Sequence, residues 1–382
     1  MATPRTHEVD IIRLVALFGI CMVNIPFMAI FDDGLLESSP ALYDQYAQLG
    51  LSLFFEGKFI LLFSFIFGWG IAIQEKRITA AGHNFSAYYF RRTLGLILIG
   101  VLHMAFIFSG DILVTYAITC LLFWFIRDFT LRTSVRRYAF IMIGLNYLVI
   151  LLFIIGLVIL YLVSDGIGFL DLLVLSNHDL GGSFYEATQF RLKDGASTLL
   201  LALLLFTFLT LGAFGLGYSA AYNDFFTENS ESFLKLKKAL PRLLIFGIIT
   251  NVIYAIAISD LVSDFWLLPG IALWLVGAPA LAAAYLYFLV IAARRIQLPE
   301  ILVLAGRNSL SVYVLQGLIA SLMFSGYGLG WFDKFSDLAL IPISIGIYLA
   351  SVIIVGLYAK RFGRGMLEPV LRKISGSYPS KT

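Results

Sequence analysis

Apolar residues in this chain come in long, nearly unbroken runs rather than in the alternation of a half-buried strand or the narrow stripe of a surface helix. The runs fall at 11–31, 57–75, 92–109, 111–127, 138–163, 197–222, 241–260, 266–293, 303–325 and 340–359. A helix needs about 20 such residues to cross the roughly 30 Å of hydrocarbon in a bilayer. The pattern therefore predicts an all-α, polytopic transmembrane bundle of about ten spans. A shorter run at 43–55 precedes the second span and reads as a helix lying flat on the membrane surface. The third and fourth runs are joined only by Ser109-Gly110-Asp111, a tight hairpin.

No repeat, low-complexity segment or long linker interrupts the pattern, so residues 1–382 read as a single integral membrane domain. Its longest connections are an outer loop at 164–196, a polar cytoplasmic loop at 223–240 and a cytoplasmic tail at 360–382. Residues 183–194 of the outer loop read as a lid or short interfacial helix, and 232–238 of the cytoplasmic loop as a surface helix. Asn24 and Pro26 interrupt the first run and no small-residue cleavage site follows, which predicts a retained span rather than a removed signal.

Charge sets the orientation. Of the 27 lysines and arginines, 23 fall in connections on one side, and only Lys58, Arg191, Lys193 and Lys334 on the other. By the positive-inside rule both termini are cytoplasmic. The acids divide the opposite way, 15 of 24 facing out, so an anionic ligand is favoured from the cytoplasm. Composition agrees with the membrane class: 60% hydrophobic and 13% charged residues, with a mean hydropathy of +0.91. Cys21 and Cys120 both lie within apolar runs and read as small buried hydrophobes.

Four polar residues stand well inside spans that begin at the cytoplasmic face: Asn24, His103, Asn251 and Gln316. Arg13 precedes Asn24 by eleven residues, Arg92 precedes His103 by eleven, Arg242 precedes Asn251 by nine and Arg307 precedes Gln316 by nine. At about 1.5 Å per residue the four lie roughly 13 to 16 Å above their arginines, which lets them share one midplane cavity. Eleven residues also return to within about 20° of the same helix face, so one helix points Arg92 and His103 the same way at two depths.

Taken singly, an amide inside a membrane helix is most often interhelical glue, and an arginine at its end a topology signal. An intramembrane imidazole is less easily explained by packing, and it suits a general base toward a hydroxyl or amine. Asp111, eight residues further on, reads as about 12 Å away along a continuing helix, so an orienting carboxylate is expected from elsewhere. Asp10 and Arg13 form an i, i+3 pair at the entrance of the first span. His7, His83 and His178 read as solvated loop residues. No His/Cys cluster has metal-ligand spacing, and no strand precedes a glycine-rich phosphate loop. Gly-Trp-Gly at 68–70 and Gly-Leu-Gly at 215–217 read as close-packing positions, and nothing supports nucleic-acid binding.

The opening Val9-Asp10-Ile11-Ile12-Arg13-Leu14-Val15-Ala16-Leu17-Phe18-Gly19-Ile20, ending at Val23-Asn24-Ile25, resembles the start of the YeiB-like bacterial membrane proteins, a family named as a domain of unknown function. The likeness continues in Gly57-Lys58-Phe59, in Gly100 to His103 with Gly110-Asp111, in Gly306-Arg307-Asn308-Ser309-Leu310-Ser311 with Tyr313 and Gln316, and in Glu368-Pro369 with Arg372. Leu14 departs from it, standing where the family usually has glycine.

That family is similar, more distantly, to the transmembrane acyltransferases. Their hallmark is an arginine or lysine followed after ten residues by a catalytic histidine, and Arg92 and His103 fit it. The resemblance implies His103 as general base and Asn24 and Gln316 as positioners of the acyl carbonyl or acceptor, with Asn251 and Asp111 as further substrate contacts. It implies Arg13, Arg92 and Arg307 as holders of the phosphates of an acyl-coenzyme A co-substrate, no cofactor being tightly bound. A small-solute transporter with a midplane polar site, and a non-catalytic accessory protein, are the competing readings.

Overall fold

The computed structural model describes residues 7–30, 41–163, 180–259, 262 and 264–376, with the backbone alone at 157–158 and 160–163. His178, Arg5, Lys381 and the 164–179 part of the expected outer loop lie outside the described residues. Among those described, the regular structure is helical and nine helices are long and apolar enough to cross a membrane, or ten if one sharply bent pair is counted as a span. The chain is a multi-pass α-helical membrane protein.

The helices are α1 (His7–Ala29), α2 (Leu42–Phe54), α3 (Lys58–Ala80), α4 (Phe85–Phe106), α5 (Ile112–Arg132), α6 (Val135–Val163), α7 (Phe184–Tyr222), α8 (Glu231–Ala257), α9 (Leu267–Ala293), α10 (Glu300–Arg307), α11 (Ser309–Phe324), α12 (Asp337–Phe362) and α13 (Glu368–Ser375). Each expected run has its helix, and three expectations about the connections are corrected. The short helix expected at 43–55 is α2, which leads through Gly57 into α3. The lid at 183–194 is instead the first turns of α7, started by a capping box between Ser183 and Glu186. The surface helix at 232–238 is the first part of α8, capped by Ser230. His7 opens α1 rather than lying in a loop.

α1 is the hub. Most of the residues it turns toward its neighbours are apolar, and 61% of its spanning window is buried against 11% for α6. α1 packs on α3, α9, α10, α11 and α12. α3 runs tightly along α7: a side chain at Gly68 would collide with the Phe214 carbonyl and one at Gly217 with the Phe65 carbonyl, and Gly215 is pressed by Tyr138, so these three serve close packing, whereas Gly70 opens onto a cavity.

The run at 303–325 is broken. α10 and α11 meet at 89° across Asn308, whose own side chain donates to the Leu304 carbonyl at 2.8 Å and accepts from Gly365 N at 2.7 Å. Ser311, in the first turn of α11, donates its backbone N–H to Glu368 Oε1 at 3.0 Å. Those bonds fold the tail back as α13, which lies against α4. The tail is therefore part of the bundle's basic end, not a free appendage.

Candidate functional site

The site is built on α4 and on what meets it. Arg92 and His103 both belong to this one continuous helix, as their spacing requires. Beyond Phe106 the helix stops: Ile107 N and Phe108 N both donate to the His103 carbonyl at 2.9 Å, and the chain reverses through Ser109 and Gly110. Asp111 then starts the next helix, its Oδ2 accepting from Val114 N at 2.9 Å as an N-cap. The reversal brings Asp111 Oδ1 to 2.9 Å from His103 Nδ1. The expectation that Asp111 is too far to reach His103 is thus corrected, because it extended α4 through a residue that belongs to α5.

The His103–Asp111 contact is sealed from water, with side chains 2% and 0% exposed. The ring N–H is not well aligned on the oxygen, so the contact is close without being an ideal hydrogen bond. A carboxylate can only accept, so it favours the tautomer with the proton on Nδ1 and leaves Nε2 as a free acceptor. Nε2 has no protein partner. Two glycines make room for the pair. A Cβ at Gly100 would lie 2.8 Å from Asp111 Oδ2, and one at Gly317 would lie 2.7 Å from His103 Nε2.

Tyr313 of α11 completes the cluster. Its hydroxyl lies 3.3 Å from Asp111 Oδ1 and accepts from Ile112 N at 3.3 Å, and its ring is 5.0 Å from the imidazole. On one side of Tyr313 is a small niche of about 10 Å³ lined by Asn24, His103 and Gln316 together with Cys21, Ile25, Met28, Phe108 and Gly317. Gln316 Nε2 is buried there without a hydrogen-bond partner. On the other side lies a cavity of about 930 Å³. Apolar and aromatic side chains line it, among them Leu17, Ile20, Phe63, Phe67, Leu113 and Tyr116, and Arg13, Arg77, Arg92, Arg307 and Arg372 stand toward its mouth, with Glu368 also in the lining.

The cations at this mouth are held differently. Arg307 Nε donates to Asp10 Oδ2 at 3.0 Å and Arg13 Nη1 to Asp10 Oδ1 at 3.5 Å, so the buried Asp10 bridges both. Arg92 Nε is buried with no hydrogen-bond partner, and its guanidinium sits 5.8 Å from the Phe67 ring. An arginine left unpaired beside a cavity is a ready anion-binding group. The start of α11, at Ser309 and Leu310, also lines this space and adds the positive end of its dipole.

Of the residues singled out from the sequence, Arg13, Arg92 and Arg307 share the large cavity, and Asn24, His103 and Gln316 share the niche. Asn251 joins neither. It is fully buried on α8, donates to the Gly247 carbonyl of its own helix at 2.8 Å, and packs against Gly277 of α9. Equal depth did not place it with the others because α8 pairs chiefly with α9, away from α4.

Sequence reasoning passed over the site's Arg77, and over Arg191, which it counted as a loop cation. Arg191 is 2% exposed and donates to the Phe106 carbonyl at 3.1 Å and to Ser321 and Ser325 at 3.0 and 2.8 Å. It ties together the ends of α4 and α11 just beyond the niche.

Residues 220–377 match the family described as "Protein of unknown function (DUF418)". That segment carries Asn251, Arg307, Tyr313, Gln316 and Glu368, and excludes His103 and Asp111. The chain is 24% identical to "Uncharacterized protein YxaH" of Bacillus subtilis (strain 168) over 96% of its own length and 93% of the relative's. It is 26% identical to "Uncharacterized protein YeiB" of Escherichia coli (strain K12) over 97% and 96%. An "Uncharacterized 39.9 kDa protein in amylase 3'region" of Bacillus acidopullulyticus is 34% identical over 30% of this chain and 31% of its own. No solved structure matches. The likeness to the YeiB-like proteins thus runs along nearly the whole chain.

Proposed function

We propose that this YeiB-like membrane protein is an acyltransferase of the bacterial inner membrane, with both termini in the cytoplasm. It takes an acyl group from an acyl-coenzyme A type donor at the cytoplasmic face and passes it to a hydroxyl or amine. The observation that carries this reading is the arrangement around Tyr313: an arginine-mouthed, apolar-walled cavity on one side and the His103–Asp111 pair on the other. A donor with phosphates at one end and an acyl chain at the other matches a cavity charged at its mouth and apolar within. His103 Nε2, its tautomer favoured by Asp111, acts as general base toward the acceptor, and Gln316 and Asn24 orient the groups that meet there.

The test is calorimetric binding of acetyl-coenzyme A and longer acyl-coenzyme As to the purified protein. Saturable binding that Arg92→Ala weakens about ten- to a hundredfold, the worth of a hydrogen bond to a charged group, supports the reading. Absence of binding by any acyl-coenzyme A contradicts it.

The 89° break between α10 and α11 favours a second reading, a solute transporter, since broken helices line binding sites in such proteins. In that reading the same polar set binds solute and His103 relays a proton. Uptake by proteoliposomes without covalent change of the solute distinguishes it.

A further inference from the structure

The niche beyond Tyr313 is too small for most acceptors. At about 10 Å³ it has the room of one water. Two polar atoms in its wall have no partner in the protein, His103 Nε2 and Gln316 Nε2, on residues only 2% and 3% exposed. One is set to accept and the other to donate, and Asn24 stands beside them. A buried water is held by two to four such groups, whereas leaving the atoms bare is costly. The rest of the lining, Cys21, Ile25, Met28 and Phe108, is apolar and offers no carboxylate to hold an ammonium.

We infer that the niche seats a single oxygen nucleophile, and that water fills it whenever no acceptor hydroxyl does, giving the protein a second activity as a hydrolase of its thioester donor. The inference rests on the acyl-transfer reading of the large cavity. In the hydrolytic step the water oxygen bonds to the acyl carbonyl carbon while His103 Nε2 takes its proton. The carbon–sulfur bond then breaks and His103 returns the proton to the departing thiolate. Thioester and water become carboxylic acid and thiol, with no change of oxidation state.

The same geometry constrains the acceptor. It reaches the niche with one hydroxyl and keeps the rest of its body outside, because no sugar ring or glycerol backbone fits. Tyr313 lines both spaces, and it is at this shared wall that the acyl carbonyl must meet the nucleophile.

The experiment incubates the purified protein with acetyl-coenzyme A in oxygen-18 water with no acceptor, following free thiol and label in the acetate. The wild type should release thiol and place one heavy oxygen in the acid, and His103→Ala should slow this about a hundredfold or more. Gly317→Ala fills the niche, its Cβ lying 2.7 Å from His103 Nε2. It should cut thiol release about a hundredfold while acetyl-coenzyme A binding stays within about twofold. Gln316→Met, which keeps length and removes the amide, should act in the same direction and decides the matter if Gly317→Ala fails to fold.

Donor binding without thiol release, or release that neither niche variant slows, overturns the hydrolytic inference and leaves the donor site standing. Absence of saturable binding by acetyl- or palmitoyl-coenzyme A overturns the acyl-transfer reading itself, and the inference with it.

Discussion

Gln316 and Asn251 are the same feature written twice in the sequence and used differently in the fold. Each stands nine residues after an arginine at the basic end of a span, and each is buried with one amide atom lacking a partner. Gln316 opens onto a niche beside an unpartnered imidazole nitrogen. Asn251 spends its N–H on its own helix and presses against a glycine of α9. Their arginines divide the same way, since Arg307 lines the large cavity and Arg242 is exposed on the surface. Spacing along a helix fixes depth, and only the neighbours decide whether that depth faces a cavity or a packed wall.

The comparison yields variants whose effects should differ by orders of magnitude. The largest belongs to the base: His103→Ala should lower acyl transfer about 10²- to 10⁴-fold with donor affinity preserved, measured as initial rate and dissociation constant on one preparation. Asp111→Asn should act in the same direction by loosening control of the imidazole's tautomer.

Next is Arg92→Ala, about ten- to a hundredfold in donor affinity, with a weaker salt dependence of binding than the wild type because one cation is gone. Gln316→Leu should follow, slowing transfer about tenfold or more through loss of one orienting donor while leaving donor affinity unchanged. Asn251→Leu is its counterpart and should be nearly silent in transfer, costing about 0.6 kcal/mol of stability in thermal denaturation. If Asn251→Leu slows transfer as much as Gln316→Leu, the division between the two regions is wrong. Gly277→Ala should likewise lower thermal stability by forcing α8 from α9, with transfer per folded molecule retained.

The spans were legible because length and hydropathy in a bilayer leave few alternatives, and the Arg92 and His103 pair because both lie on one uninterrupted helix. Asp111 was misplaced by treating apolar continuity as helical continuity. The signal that corrects it was present: glycine then aspartate before a new apolar run is a helix stop followed by an N-cap. Tyr313 was visible as a motif residue, yet nothing in its spacing revealed that its ring would divide two spaces. Arg191 escaped because α7 extends well beyond its apolar run, carrying a cation from an expected loop into the interior. The Asp111 and Arg191 misses concern where helices end, and the Tyr313 and Asn251 misses concern which helices touch, information that lies in three-dimensional packing and not in any single run.

The most direct measurement is photo-crosslinking with an acyl-coenzyme A whose chain carries a diazirine, followed by mapping of the labelled peptides. The account predicts saturable labelling of α1, α3 and α5 on the walls formed by Leu17, Ile20, Phe63, Phe67 and Tyr116, competed by unmodified donor and lowered by Arg92→Ala. Saturable labelling of α8 and α9 around Asn251 and Gly277, or none that the donor competes, would contradict it.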